Sequence, residues 1–322
     1  MAAVDLLTLG ESMVSLRSGG PLSAGGTLSM HVAGAESNVA VGVARLGHRV
    51  SWAGVLGSDP HGQFILRQLR SEGIEVRHRE DPDNSTGLMF LEQRTADISR
   101  AYYHRRGSAG STLSPADVDS AFSGGARVLH LTGITPALSS EARKAVEYAA
   151  ERAAGEGILV SLDVNYRGKL WSREDARAAL ARIVPHASIV IASDDELDLV
   201  AVEHGPGQSA AAEELMAKQL LGLGVQNVVV KRGAAGASTH TAEGRLDIPA
   251  VPVTSIDTVG AGDAFTAGYL SALLDGEDVA GRLKRGAVAG AFAVSTVGDW
   301  EGLPRAEELS LLDQHVAGST QR

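Results

Sequence analysis

Short apolar runs alternate with amphipathic segments along most of the chain. The apolar runs are rich in valine, isoleucine and leucine, and they predict buried strands at residues 4–10, 50–56, 128–131, 158–163, 188–192 and 227–231. Apolar residues at helical spacing predict helices at residues 39–46, 60–72, 139–154, 172–183 and 210–223. This alternation predicts an α/β fold with a doubly wound, mostly parallel sheet and helices on both faces.

Three further segments interleave polar and apolar residues, as the strands of a half-exposed sheet do. They predict a small sheet that projects from the main body, and they cover residues 12–32, 86–92 and 99–105. We therefore expect one domain over residues 1–310, with the projecting strands at about 12–35 and 85–107, and a tail at 311–322.

The composition restricts the classes of function. Hydrophobic residues make up 44% of the chain and charged residues 21%, as in an ordinary globular domain. The 29 basic and 39 acidic residues give a net charge of −10, which argues against a nucleic-acid partner. The sequence has no cysteine, no basic and apolar leader at its N-terminus and no apolar run long enough for a bilayer. These features predict a cytoplasmic protein with no membrane partner and no disulfides.

A glycine-rich turn at residues 257–265 carries the strongest candidate chemistry. Gly260 and Gly262 allow a tight turn, and apolar residues at helical spacing follow directly. Backbone N–H groups at the start of such a helix form a site for phosphate or another anion. Asp263 would repel an anion there, but it could accept the proton of a hydroxyl that attacks a phosphate. From this stretch alone, a structural helix cap explains Asp263 equally well.

Polar groups also follow three of the predicted strands, at the edge where doubly wound sheets bind ligands. Residues 163–167 follow one strand. Lys231 and a glycine-rich turn end another, which suits a polyphosphate or an ordinary hairpin with an exposed base. Ser193 and Glu196 follow a third strand at the spacing of a helix capping box, although Glu196 could instead face a metal-bound nucleotide.

Several familiar site patterns are missing from the sequence. No Gly-x-x-x-x-Gly-Lys-Ser/Thr run exists, which excludes a P-loop nucleotide site. No Gly-x-Gly-x-x-Gly run follows the first strand, which argues against a nicotinamide cofactor. The ten histidines show no ligand spacing, so we expect no transition metal held by the protein itself.

Residues 257–265 resemble the C-terminal signature of the ribokinase-like sugar kinases, also called the phosphofructokinase-B family. Residues 34–40 and 44–47 are similar to the softer N-terminal signature, and the resemblance runs from the first strand to about Pro304. It implies a doubly wound α/β domain with a small β-sheet lid that often forms a dimer contact. It also implies ATP with Mg²⁺ as phosphoryl donor and leaves a need for K⁺ open. We therefore expect a homo-oligomer, formed through the lid, that binds ATP and a small sugar.

Within the family, four stretches are most similar to the kinases of a sugar acid, 2-keto-3-deoxygluconate: residues 34–38, 103–110, 162–167 and 298–299. The resemblance implies phosphorylation of the terminal 6-hydroxyl, with Asp263 as general base. It assigns the anion hole and catalysis to Gly260, Ala261, Gly262 and Asp263. It assigns the sugar acid to Gly34, Asn38, Tyr103, Arg105, Arg167, Asp257 and Asp263. It assigns the nucleotide to Asn165, Ser193, Glu196, Lys231, Gly233, Gly236, Gly260, Gly262 and Ala287.

Two positions depart from the family pattern. Ser193 stands where asparagine is common, which affects the water contacts of the magnesium ion. The strand at residues 86–90 has no tyrosine where such kinases can use one on the substrate, so part of the sugar contact is unassigned.

Arg105 and Arg167 also favour an acidic substrate on physical grounds. A guanidinium binds a carboxylate through two parallel hydrogen bonds, whereas a neutral sugar would leave one charge unpaired. Alternatively, Arg167 serves the phosphates of ATP and only Arg105 is free for the substrate. Two wider alternatives are a kinase of another sugar, such as fructose, ribose, a nucleoside or 2-keto-3-deoxygalactonate, and a sugar-binding homologue without turnover.

Overall fold

The strands form two separate sheets in the computed structural model, which describes residues 3–95, 98–201 and 209–312. The large sheet contains β1 (Val4–Leu9), β4 (Val50–Gly57), β5 (Glu75–Asp81), β8 (Ala126–Thr132), β9 (Leu159–Asp163), β10 (Ile189–Ser193), β11 (Asn227–Lys231), β12 (Ala237–Thr241) and β13 (Gly244–Ile248). The small sheet contains β2 (Met13–Ser18), β3 (Leu28–Ala33), β6 (Leu88–Thr95) and β7 (Ile98–His104).

The large sheet has the order β13-β12-β11-β10-β9-β8-β1-β4-β5. The pairs from β11 through to β5 are parallel, and the β11–β12 and β12–β13 pairs at one edge are antiparallel. The chain leaves β1 towards β4 on one side and later returns to β8 on the other, so the strand order reverses beside β1. In sheets of this kind, a ligand crevice opens at the carboxyl ends of the strands at such a point.

Helices cover both faces of this sheet. The core on one face includes residues of α1 (Ala35–Arg45), α2 (Pro60–Ser71), α7 (Ala261–Leu274) and α8 (Val279–Val294). The core on the other face includes residues of α3 (Pro115–Ala121), α4 (Ser140–Gly155), α5 (Arg173–Ile183) and α6 (Ala210–Gly222). None of the helices in the described ranges is long and apolar enough to cross a bilayer.

The alternation of side chains along each strand explains why one sheet serves two cores. In β10, Ile189 and Ile191 join the first core, and Val190 joins the second. A parallel strand that is buried on both faces therefore reads as a continuous apolar run. The predicted doubly wound α/β fold is confirmed.

The small sheet has the order β3-β2-β6-β7, with a parallel β2–β6 pair between two antiparallel pairs. We call it the lid sheet. Met89 and its cross-strand partner Tyr103 share one face, and Met30, Phe90 and Tyr102 share the other through the pairing of β3, β2, β6 and β7. The predicted second sheet is thus present.

Local sequence signals explain several helix starts. Asp59 caps α2 by accepting a hydrogen bond from the backbone N–H of Gly62 at 2.8 Å, and Pro60 occupies the first turn. Ser139 and Ser172 cap α4 and α5 in the same way. These predicted helices therefore begin where their capping residues lie.

The apolar pattern gave no indication of α3, β5, β12 or β13. β5 lies at an edge of the sheet and is mostly polar and half-exposed, and α3 has only 7 residues. β13 is mostly exposed as well, whereas β12 is buried but consists largely of serine, threonine and histidine. Only a strand that is both buried on its two faces and apolar gives the continuous apolar run that marks it in a sequence. In the predicted tail at 311–322, Leu311 ends a short 3-10 helix, and residues 313–322 lie outside the described residues.

Candidate active site

The glycine-rich turn leads directly into α7. Gly260 has a φ of 75°, a left-handed conformation that favours glycine. A Cβ atom on Gly260 would lie 2.2 Å from the backbone oxygen of Asp299, so the turn has no room for a side chain there. The backbone N–H groups of Gly260, Gly262 and Asp263 donate no hydrogen bond to any described residue. They lie at the start of a helix, where an anion is stabilised.

Asp263 lies in the first turn of α7 and is 8% exposed. Its Oδ2 accepts a hydrogen bond from Asn38 Nδ2 at 2.8 Å, and its Oδ1 accepts one from Asn165 Nδ2 at 3.3 Å. The N-cap residue of α7 is Gly260, and both partners of Asp263 are side chains from other elements. The helix-cap interpretation of Asp263 is therefore wrong.

The environment of Asp263 changes its acidity. Burial raises the pKa of its carboxyl group, and the hydrogen bond from Asn38 and the charge of Arg167 act in the opposite direction. A carboxylate whose pKa is raised is a stronger base than one in water, which suits proton transfer.

Asn165 reaches Asp263 from an unusual backbone position. It follows β9 with a φ of 40°, and no other described residue except glycine has a positive φ. Non-glycine residues adopt this region at a free-energy cost, and such positions cluster at functional sites.

Lys231 at the end of β11 lies beside the turn. Its Nζ donates to Asp163 Oδ2 at 2.6 Å, and the same oxygen accepts from Thr266 Oγ1 of α7 at 3.0 Å. A Cβ atom on Gly262 would lie 3.4 Å from Lys231 Nζ, so the amine is close to the free N–H groups. The sequence also allowed an ordinary hairpin with an exposed lysine at this position. A hairpin does connect β11 and β12, but the side chain of Lys231 is mostly buried against Asp163.

A cavity of about 850 Å³ opens between the lid sheet and the carboxyl ends of the large sheet. Met13 and Met89 line it from the lid sheet, and residues 166–170, which follow β9, line it from the body. Met89 belongs to the strand in which related kinases can have a tyrosine that contacts the substrate. In this protein the thioether of Met89 lines the cavity from that strand. The cavity brings together Gly260 and six of the predicted sugar-binding residues: Gly34, Asn38, Tyr103, Arg105, Arg167 and Asp263.

The two arginines of this cavity differ in their partners. The guanidinium of Arg105 pairs with the carboxylate of Glu11, and both side chains are buried. Arg167 is exposed and forms no ion pair with a described residue. Lys169 nearby is also exposed, and its Nζ donates to the backbone oxygen of Ala101 on β7 at 3.1 Å. Arg167 is therefore the arginine whose charge the protein leaves available.

The predicted nucleotide residues lie mainly at the carboxyl ends of three adjacent strands. Asn165 follows β9, Ser193 ends β10, and Lys231 ends β11. Gly233 and Gly236 form the turn after β11 with positive φ angles of 53° and 90°. These residues therefore share the edge of the sheet where the fold predicts a ligand.

Glu196 connects two of these loops. Its Oε1 accepts from the backbone N–H of Tyr166 at 2.7 Å, and its Oε2 accepts from that of Ser193 at 2.9 Å. The second bond is one half of the predicted capping box, but only a 3-10 helix of 3 residues follows, at Leu197–Leu199. Glu196 therefore holds the loops after β9 and β10 together.

Two predicted residues lie apart from the cavity lining, from residues 260–263 and from the loops after β9, β10 and β11. Asp257 accepts from the backbone N–H groups of Val259 at 3.0 Å and Gly298 at 3.3 Å, so it shapes the turn. Ala287 is half-buried on α8, next to Gly286, which packs against Phe265 of α7. Their roles towards substrate and nucleotide stay predictions.

Besides Asp299, two buried acids at the cavity were missing from the predicted site. One is Glu11, the partner of Arg105. The other is Glu36, which accepts from Thr132 Oγ1 at 2.7 Å and Thr135 Oγ1 at 2.6 Å, and burial raises its pKa. Glu11 comes almost directly after β1, so the rule that ligands bind at the carboxyl ends of strands could have indicated it.

Comparison with known families identifies the chain at the level of its family. The sequence profile described as "pfkB family carbohydrate kinase" matches residues 4–306. The chain belongs to the pfkB family of carbohydrate kinases. The predicted resemblance is thus confirmed, and the protein is a carbohydrate kinase with a ribokinase-like fold.

Individual pfkB relatives are similar over nearly their whole length. The 2-dehydro-3-deoxygluconokinase of Bacillus subtilis strain 168 is 35% identical, over 95% of this chain and 94% of its own. The 2-dehydro-3-deoxygalactonokinase of Haloferax volcanii is 32% identical, over 92% of each chain. An E. coli protein named as a ribokinase II, solved in complex with ATP and Mg²⁺, has a TM-score of 0.87 at 25% identity and covers 98% of this chain and 99% of its own.

Proposed function

We propose that the protein transfers the γ-phosphoryl group of ATP to the terminal 6-hydroxyl of 2-keto-3-deoxygluconate, which is also called 2-dehydro-3-deoxygluconate. The observation that carries the proposal is the position of Asp263. This buried carboxylate lines the cavity and lies beside the free N–H groups of Gly260, Gly262 and Asp263. The names of the Bacillus and Haloferax relatives support a sugar acid as substrate.

In the proposed reaction, Asp263 is the general base. The 6-hydroxyl loses its proton to Asp263 as its oxygen forms a bond to the γ-phosphorus, the bond from that phosphorus to ADP breaks, and ADP and the 6-phosphorylated acid are the products. Asn38 and Asn165 orient the carboxylate. The N–H groups of Gly260, Gly262 and Asp263 stabilise the negative charge that builds up on the phosphoryl oxygens.

The nucleotide would bind along the carboxyl ends of β9, β10 and β11. Free N–H groups at the start of α7 and the amine of Lys231 suit phosphate oxygens. The residues proposed to hold the nucleotide are Asn165, Ser193, Glu196, Lys231, Gly233, Gly236 and Ala287. Mg²⁺ would arrive with the nucleotide and neutralise part of its charge; K⁺ is not part of the proposal.

The free charge of Arg167 supports a carboxylate on the sugar. Arg105 is already paired with Glu11, so a neutral sugar would leave Arg167 as an uncompensated cation in the cavity. Tyr103 on the lid sheet covers the same space. The lid would exclude water from the phosphoryl group, which limits hydrolysis of ATP. The cytoplasmic location stays a prediction from the sequence.

Replacement of Asp263 tests the proposed base. Asp263→Asn should lower kcat by about a hundredfold or more, because the proton of the hydroxyl loses its acceptor. In the wild type, kcat/KM should fall as the pH falls through the pKa of Asp263, which burial raises above its ordinary value of 3.8. Steady-state release of ADP measures both effects. Asp119→Asn on the exposed surface of α3 is the matched control, and near-normal turnover of folded Asp263→Asn would contradict the role.

A panel of sugars tests the substrate. ADP release should be most efficient with 2-keto-3-deoxygluconate or its galacto epimer and poor with fructose, ribose and nucleosides. Arg167→Gln should raise KM for the acid by about tenfold to a hundredfold, the range for a lost charged hydrogen bond. A rise in KM for ATP alone would assign Arg167 to the phosphates instead. Arg182→Gln on the exposed face of α5 is the control. Sugar binding without ADP release would indicate a homologue without turnover.

The lid sheet is also the proposed surface for a homo-oligomer. Its face away from the cavity exposes Leu28 and Met30, which form an apolar patch of the kind that partners cover. Met30→Asp should therefore shift the protein to a smaller species in size-exclusion chromatography with light scattering. Leu223→Asp at the end of α6 replaces an equally exposed apolar residue and should leave the mass unchanged. A wild-type monomer would contradict the proposal.

A further inference from the structure

Arg17 makes a buried connection from the lid sheet to the body. It lies on β2, opposite Leu91 of β6, on the face that lines the cavity. Its side chain is 8% exposed, and its Nη2 lies 2.5 Å from Asp299 Oδ2. Its Nη1 lies 4.0 Å from Asp257 Oδ2. One lid cation therefore faces two acids that lie far away in the sequence.

Both acids are part of the structure that shapes the phosphate-binding turn. Asp257 accepts from the backbone N–H of Val259, inside the turn, and from that of Gly298. The backbone of Asp299 packs against Gly260, as the 2.2 Å distance from a Cβ atom on Gly260 to the Asp299 oxygen shows. The Arg17–Asp299 contact therefore joins the lid sheet to the segment that packs against the turn.

A second lid residue contacts the same segment. His31 on β3 has its Nδ1 2.6 Å from Glu301 Oε1, two residues beyond Asp299. Arg17 and His31 lie on adjacent strands, and both reach residues 299–301. The contact between lid and turn is thus a small interface with a defined position.

Stability alone does not explain this pair. Removal of two charges from water often costs as much as their attraction returns. Arg17 also buries its Nε and Nη1 atoms without a hydrogen-bond partner among the described residues, and burial raises the pKa of Asp299 to about 7. Such a pair fixes relative position, because its geometry is specific even where its net energy is small.

We infer that Arg17 is a positioning residue that fixes the lid sheet against the phosphate-binding turn through Asp299 and Asp257. Arg17 itself is not among the residues that line the cavity. It sets the distance between the cavity wall of the lid and the N–H groups of residues 260–263. The inference rests on the proposed role of that turn, and it applies to whichever sugar the enzyme accepts.

The test compares three variants. Arg17→Gln should lower kcat by about tenfold or more, because small misplacement of reacting groups is costly, and should raise the ratio of ATP hydrolysed to sugar phosphorylated. Arg17→Lys keeps the cation and should recover part of the loss. Arg17→Met combined with Asp299→Asn removes both charges, so it should keep the melting temperature of the wild type and still show the loss of kcat and coupling. Arg49→Gln, at a 61% exposed side chain, is the control.

Wild-type kcat and coupling in folded Arg17→Gln, or in the double variant, would overturn the inference. Failure of both variants to fold would assign the pair to stability and would overturn it as well. Asp263→Asn separates this outcome from failure of the proposed function. If Asp263→Asn is inactive and Arg17→Gln is normal, the turn is catalytic and only the inference about Arg17 fails.

Discussion

A carboxylate and a phosphate can share a dry site only if fixed dipoles compensate for their charges. In this protein we propose that the compensation comes from one turn, in which Gly260 takes a left-handed conformation and α7 begins with free N–H groups. Asn38 and Asn165 hold Asp263 beside those groups. The large sheet, the two helical layers and the lid sheet all serve to bring these residues to one edge of the fold.

The cations around this edge are mostly paired before any ligand binds. Arg105 pairs with Glu11, Lys231 with Asp163, and Arg17 with Asp299, each as a buried or partly buried pair. A paired cation has a fixed position but a weaker net field, so it orients a ligand more than it attracts one. Arg167 and Lys169 line the cavity without an ion pair to any described residue, so we propose that they attract the second anion. This division of roles fits a reaction between ATP and a sugar that itself carries a charge.

The sequence predicted the fold and the turn because both have local signals. Apolar runs buried on both faces predict the parallel strands, and two glycines before an apolar helix predict the turn. It did not predict that Arg105 is paired with Glu11 or that Arg17 reaches Asp299, because side chains on separate elements meet only in the folded chain. The spacing of Ser193 and Glu196 predicted a helix capping box, but it did not show that Glu196 also binds a second loop. Tyr166, from another loop, shares the same carboxylate.

The most direct test is a crystal structure of the enzyme with a non-hydrolysable ATP analogue, Mg²⁺ and 2-keto-3-deoxygluconate. Oxygens of the γ-phosphate should lie about 3 Å from the N–H groups of Gly260, Gly262 and Asp263, at hydrogen-bond distance. The 6-hydroxyl should lie at a similar distance from the carboxylate of Asp263. A triphosphate bound away from α7, with Asp263 still contacting only Asn38 and Asn165, would contradict the account.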